Sequence, residues 1–146
     1  MIRIAEPSDA VAVNELLVQL GYPQSEVSAT ADRIRDWQSD PTSTVYVADD
    51  RDQVVGVVAV HVGPYFERTG SWARVVALVV SEQVRGQGIG GQLMAAAEEF
   101  AADHGCLRVE LSSSDRRTEA HAFYEGRGYV NQSGRSSWFR REAARP

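Results

Sequence analysis

Apolar and polar residues along this chain follow two periods, and the switches between them mark its elements. Ile2 and Ile4 flank Arg3, the alternation of a short strand. Pro7-Ser8-Asp9 then has the composition of a helix start, and Val13, Leu16, Leu17 and Leu20 follow on one helical face. Gly21 and Pro23 stop that helix. Ser25 is placed to cap a second one, with Val27, Ala31 and Ile34 inward and Pro41 beyond its end. Thr44 to Ala48 and Val54 to Val62 are rich in β-branched residues around the turn-like Asp49-Asp50-Arg51-Asp52, which predicts a hairpin. Ser71 to Val80 reads as a further strand. A helix follows, with Ile89, Leu93, Ala97, Phe100, Ala101 and His104 inward and Gly105 just past its end. Leu107 to Ser112 is the next strand, and Thr118 to Arg127 is a helix closed by Gly128. Tyr129 to Asn131 and Ser137 to Arg140 suggest a last hairpin around Gly134. The expected order is β-α-α-β-β-β-α-β-α-β-β. That is an α/β (α+β) domain with a mixed six- to seven-stranded sheet, helices on both faces, and one strand–helix–strand crossover from about 75 to 112.

Composition narrows the class. A chain of 146 residues, 43% hydrophobic and 24% charged, is expected to form one globular domain over 1–146. No apolar run has the roughly 18–20 residues needed to cross a bilayer, so no membrane partner is expected. The charged opening MIRIAEPSD is unlike a signal peptide, which leads to a cytoplasmic expectation. The net charge of −5 disfavours nucleic acid as a partner. One cysteine, Cys106, allows no internal disulfide and no multi-Cys metal site. His61, His104 and His121 lack metal-ligand spacing, so no metal is expected. All 15 basic residues are Arg, which removes lysine chemistry of every kind.

The densest chemical signal is Arg85-Gly86-Gln87-Gly88-Ile89-Gly90-Gly91, between a strand and a helix. Glycines let backbone N–H groups approach a ligand closely. At a helix N-terminus those groups are unpaired and the macrodipole is positive, so phosphate or pyrophosphate suits the place. Arg85 adds a charge able to pair with a phosphate oxygen. Gly86, Gly88 and Gly91 also satisfy the dinucleotide fingerprint, with Glu110 near the position of a ribose-binding acid. Against that reading, Ser81 to Arg85 intervene between strand and glycines, and too little chain remains for a second nucleotide-binding half. The bland alternative is a ligand-free loop, for which four glycines are more than a turn requires.

These residues resemble the GNAT superfamily of acyl-CoA-dependent N-acyltransferases. Arg85-Gly86-Gln87-Gly88-Ile89-Gly90 is similar to its Q/R-x-x-G-x-G/A signature, Leu78-Val79-Val80 to its strand end, and Ala120 to Tyr129 to its A-x-x-F-Y-x-x-x-G-F/Y block. The likeness spans essentially the whole chain. It implies an acetyltransferase that moves an acetyl group from acetyl-CoA, as cosubstrate, to a primary amine by direct attack through a tetrahedral intermediate. It implies that N–H groups of Arg85 to Gly90 hold the pyrophosphate and that Leu78-Val79-Val80 pairs with pantetheine like an added strand. An N–H at Val79 or Val80 would polarise the thioester carbonyl, and Tyr124 would protonate the leaving thiolate. A bulge there would splay the fourth and fifth strands. Many members have Asn seven residues before that tyrosine; this chain has Arg117, which would contact CoA phosphate or cap the helix.

The amine needs a proton acceptor. Glu110 is a candidate on the face it shares with Ser112; the alternative is an ion-paired strand residue. Glu82 is a weaker candidate, Asp115 reads as a helix cap, and His121 as a structural hydrogen bond or a channel residue. His104 suits a helix C-terminus, Cys106 a buried apolar position, and His61 has no reading by itself. Trp37, Tyr65, Phe66 and Trp72 are expected near the mouth for a small-molecule amine. Trp138-Phe139 would be the contact of a homodimer. A non-catalytic CoA-binding or interaction module is the alternative function, and a nicotinamide-binding protein the more distant one.

Overall fold

The computed structural model describes residues 1–144. Two compact units emerge, Met1–Leu111 and the segment from Ser112 onward.

The first unit holds β1 (Ile2–Ile4), α1 (Ala10–Leu20), α2 (Val27–Ser39), β2 (Ser43–Asp50), β3 (Gln53–Pro64), β4 (Ser71–Val80), α3 (Ile89–Asp103) and β5 (Cys106–Leu111). The strands lie in sequence order, antiparallel from β1 to β4, with β5 parallel to β4 across the α3 crossover. Alternation along β3 divides the core. Val57 packs with Val13, Leu16 and Ile34 of α1 and α2, and Ala59 lies against the same cluster. Gly56 faces the other side, where a Cβ would come within 2.8 Å of Leu93 Cδ1 in α3, so a side chain here would push the helix off the sheet. Leu93, Met94, Val58 and Val60 are fully buried. Each such side chain contributes roughly 1.5–3 kcal/mol of burial. Helices thus cover both sheet faces, as expected.

Several boundaries depart from the apolar pattern. A 3-10 turn over Pro7–Asp9 precedes α1, whose end is closed by Gly21 at φ 107. On α2 Ala31 and Ile34 face the core as expected, joined by the buried Thr30, while Val27 is exposed. Thr30 donates to Asn14 Oδ1 in α1, so a buried polar pair joins the two helices beside the apolar contacts. The β2–β3 loop is the two residues Arg51 and Asp52, both at positive φ, as a two-residue hairpin of primed type requires.

From Ser112 onward the chain forms α4 (Thr118–Gly126) and then runs without strands to residue 144. The expected last hairpin is therefore absent, and the sheet has five strands rather than six or seven. Tyr129-Val130 and Trp138-Phe139 are apolar pairs without alternation, so neither gives a strand a buried face. Between them Ser133 N–H donates to Asn131 Oδ1 at 2.9 Å and Arg135 N–H to Gln132 O at 3.0 Å, local turns that compete with a ladder. Trp138 and Phe139 are exposed.

Candidate functional site

The register of β4 creates the first part of the site. Ala59 pairs with Ala77 and Val60 with Val75, so Val76 is an extra residue, a bulge. The parallel ladder with β5 ends at Val75↔Leu111. Beyond that point β4 keeps β3 on one side and has no β5 partner on the other. Ser81 N–H donates to Val55 O at 2.8 Å. Ser81, and two residues back Val79, therefore direct their backbone groups at β3, and alternation turns those of Val80 and Leu78 to the free edge. Arg85 Nε meets the Val80 carbonyl at 3.3 Å. Of the three residues singled out in the sequence, Val79 is the one whose backbone is used by the sheet and whose side chain is in the core.

The free edge leads to the glycine turn. Glu82–Val84 form a 3-10 turn capped by the Ser81 hydroxyl, which accepts from Gln83 N–H, and α3 starts directly after Gly88. Gly86 and Gly88 have φ of 84° and 81°, a region that L side chains avoid, and a Cβ at either would enter open space. The turn thus holds glycine for its backbone angle, and nothing crowds the approach to the first N–H groups of α3, with Gln87 and Arg85 exposed beside them. Such a terminus attracts a phosphate.

At the end of α2 the sheet carries an open cavity of about 440 Å3, lined by Asp36, Trp37, Asp40, Ser43, His61 and Val76. His61 on β3 stands edge-on to two indoles, 6.4 Å from Trp37 and 6.1 Å from Trp72 between ring centres. Trp72 reaches that position because it lies across Gly63, where a Cβ would be only 2.3 Å from the ring. Ser43 Oγ lies 2.7 Å from His61 Nδ1 and donates to Asp40 Oδ2 at 3.2 Å. Bonds from the Thr42 hydroxyl and backbone N–H, with a smaller one from Ser43, hold the Asp40 carboxyl below its ordinary pKa and therefore ionised. Sequence reasoning attached no role to His61, Asp40 or Ser43. Their positions at 40, 43 and 61 meet only through the β2–β3 register, in which Ser43 pairs with His61.

The remaining candidates fall as follows. Glu110 accepts from Arg74 Nη2 at 2.9 Å, the ion-paired arrangement, across the parallel ladder. Tyr65 lies under the Arg68 guanidinium at 4.5 Å and Phe66 is fully exposed; neither lines the cavity. His104 has Nδ1 and Nε2 each 2.9 Å from a carbonyl oxygen, of Phe100 and of Pro41, tying the end of α3 to the start of β2. Cys106 is half-buried, and burial pushes its thiol pKa up. In the second unit, burial raises the Tyr124 hydroxyl pKa and the Arg117 charge partly opposes this, so the phenol is protonated at neutral pH. Its ring packs edge-on against Phe123 and Tyr129. Arg117, rather than Asp115, occupies the N-cap of α4, with no capping bond from its side chain. His121 Nε2 lies 2.9 Å from Ser114 O, the structural hydrogen bond expected of it. Among the described residues no group of three His, Cys, Asp or Glu side chains could hold a metal, and no helix is long and apolar enough to cross a membrane.

Comparison with known proteins agrees with this geometry. The sequence profile of the Acetyltransferase (GNAT) family matches residues 12–129. An aminoalkylphosphonate N-acetyltransferase from Salmonella typhimurium is 32% identical over 128 residues, 88% of this chain and 83% of that protein. The crystal structure of glucosamine-6-phosphate N-acetyltransferase from Arabidopsis thaliana superposes with a TM-score of 0.83 at 25% identity, covering 95% of this chain and 97% of that one. A structure described as a transcriptional regulator from Bacillus halodurans C-125 reaches a TM-score of 0.86 at 23% identity, over 97% of this chain and 99% of that one, and shares the fold. A bulged β4 with a free edge, a glycine-opened α3 and these matches have one reading: the chain belongs to the GNAT acetyltransferase family and is an N-acetyltransferase.

Proposed function

We propose that residues 1–146 act as one acetyltransferase domain that moves the acetyl group of acetyl-CoA to the primary amine of a small molecule. The observation that carries this is the free β4 edge running from the Val76 bulge to the N-terminus of α3. An amide-bearing pantetheine arm matches the groups that Leu78 and Val80 turn to the free edge, displacing Arg85 Nε from the Val80 carbonyl, as an added strand would. Its pyrophosphate matches the N–H groups of the Arg85–Gly90 turn. The thioester then lies by the bulge, where a free-edge N–H, that of Leu78 being nearer than that of Val80, donates to the developing oxyanion. The amine nitrogen bonds to the carbonyl carbon and gives up one proton to a base, the tetrahedral intermediate collapses, and the C–S bond breaks. Tyr124, protonated at neutral pH, is the group we assign to return a proton to sulfur. Arg117 is assigned to the CoA phosphates, since its side chain makes no capping bond at the start of α4. Glu110, bound by Arg74, is poorly suited as the base. The likeness to an aminoalkylphosphonate N-acetyltransferase supports a small amine as acceptor.

Titration calorimetry tests the donor. CoA and acetyl-CoA should bind and raise the melting temperature by mass action, while NADH and NADPH should do neither. Binding of a dinucleotide without binding of CoA refutes the proposal, and CoA binding with no acetyl transfer to any amine would favour the non-catalytic module.

A further inference from the structure

The cavity beside the Val76 bulge has the chemistry of an acceptor site with its own base. Val76 belongs both to the cavity lining and to the point where β4 leaves β5, so a thioester on the free edge would end at the cavity mouth. The Ser43 hydroxyl has one proton and gives it to the ionised Asp40, which can only accept. Ser43 Oγ therefore accepts from His61, which fixes the His61 proton on Nδ1 and leaves a lone pair on Nε2 in the neutral ring. Nε2 has no hydrogen bond among the described residues. The indoles of Trp37 and Trp72 hold the ring edge-on from two sides.

Charge in the cavity is one-sided. Asp40 is ionised, and Asp36, on the exposed side of α2, has no hydrogen bond or ion pair among the described residues. No Arg lines the cavity. Arg74, opposite His61 in the β3–β4 register, is engaged by Glu110 at 2.9 Å. A phosphonate or carboxylate on the acceptor would meet two carboxylates, and Arg74, opposite His61 and 6.0 Å over the Trp72 ring, is already paired to Glu110, whereas a second ammonium would be attracted.

We propose that this cavity takes a diamine or other amine with a second cationic group, that Asp36 holds that group, and that His61 Nε2 removes the proton from the attacking nitrogen. This rests on the reading of the chain as an acetyl-CoA-dependent enzyme. The proton passes from nitrogen to Nε2 as the N–C bond forms and is then lost to water. Ser43 and Asp40 are positioning residues that keep the Nδ1 proton in place.

The experiment compares putrescine, butylamine and aminopropylphosphonate as acceptors at saturating acetyl-CoA. Putrescine should exceed the phosphonate at least about tenfold in kcat/KM, and Asp36→Asn should remove most of that preference by raising the KM for putrescine. His61→Gln should lower kcat on the order of a hundredfold at neutral pH, with acetyl-CoA affinity by calorimetry retained. The deficit should shrink as the pH rises and water deprotonates the amine. If His61→Gln does not fold, Ser43→Ala replaces it, with a smaller loss of the same pH dependence. Preference for the phosphonate, kcat of His61→Gln within twofold of wild type, or a deficit equal at every pH overturns the proposal. Absence of acetyl-CoA binding instead overturns the donor reading. The cavity is then read by putrescine calorimetry: heat lost in Asp36→Asn supports it, and heat retained refutes it.

Discussion

Gly88 and Gly105 allow a matched test of the glycine turn. Both flank α3, at opposite ends, with φ of 81° and 68°, and at both a Cβ would meet nothing within 4 Å. Alanine at either position therefore brings backbone strain without a clash. Forcing a non-glycine residue into the left-handed region costs roughly 1–2 kcal/mol. For a chain of this size each kcal/mol lowers Tm by about 2–4 °C, so each variant should melt on the order of 2–8 °C below wild type. Ligand binding should separate them. The Cβ of Gly88→Ala projects into the open approach to the α3 N-terminus, where a phosphate would sit, whereas Gly105→Ala lies at the far end of the helix. Gly88→Ala should weaken CoA at least about tenfold, and Gly88→Val more, while Gly105→Ala stays within twofold of wild type. Thermal melts with and without CoA, plus calorimetry, read both quantities. Wild-type CoA affinity in a folded Gly88→Ala would refute the placement of the pyrophosphate. Equal loss in both would show that the effect passes through helix stability.

Tyr124→Phe should lower kcat about tenfold to a few hundredfold with little change in the KM for acetyl-CoA, because one proton donor is lost and little volume; turnover within twofold would remove Tyr124 from the mechanism. Asp9 receives two hydrogen bonds from Arg3, at 2.8 and 2.9 Å, and one from Glu6 N–H, and Arg3 chiefly holds its carboxyl below the ordinary value of 3.8. The folded state thus favours the ionised form. The contribution is present above pH of about 4 and is lost as the pH falls through the lowered folded value. Asp9→Asn should cost roughly 2 kcal/mol at pH 7 by urea unfolding, a gap that narrows in acid; a gap that does not narrow would contradict the ion-pair assignment. Replacing Arg51-Asp52, both at positive φ, by Asn-Gly should stabilise the hairpin by about 1 kcal/mol; unchanged Tm would show that the loop is not strained. Gly63→Ala should displace Trp72 and lower Tm, checked by the near-ultraviolet dichroism of the indoles.

Local pattern was sufficient for most of the elements. The α1 stripe, the α3 stripe, the β-branched runs of β2 to β4 and the Arg85–Gly91 turn are short-range statements, because helix and strand periods and the positive φ of glycine are properties of neighbouring residues. The same locality explains the failures. Tyr129-Val130 and Trp138-Phe139 have strand-like composition, but whether a strand forms depends on a partner edge and a buried face, which lie elsewhere in the chain. The burial of Thr30 on α2 was hidden because its contact is a polar pair with Asn14, invisible to a hydrophobic count, whereas Ala31 and Ile34 face the core as their spacing requires. The distinction of Leu78 and Val80 from Val79 needed the ladder phase set by Ser81 and Val55. His61 had no meaning in the sequence because its partners are at 37, 40, 43 and 72; only the β2–β3 register, the close approach of Trp72 to Gly63 and the end of α2 bring them together. The proposed donor site lies in contiguous backbone and so can be read from a motif, whereas the proposed acceptor cavity is built from side chains of separate elements and exists only once the sheet has formed.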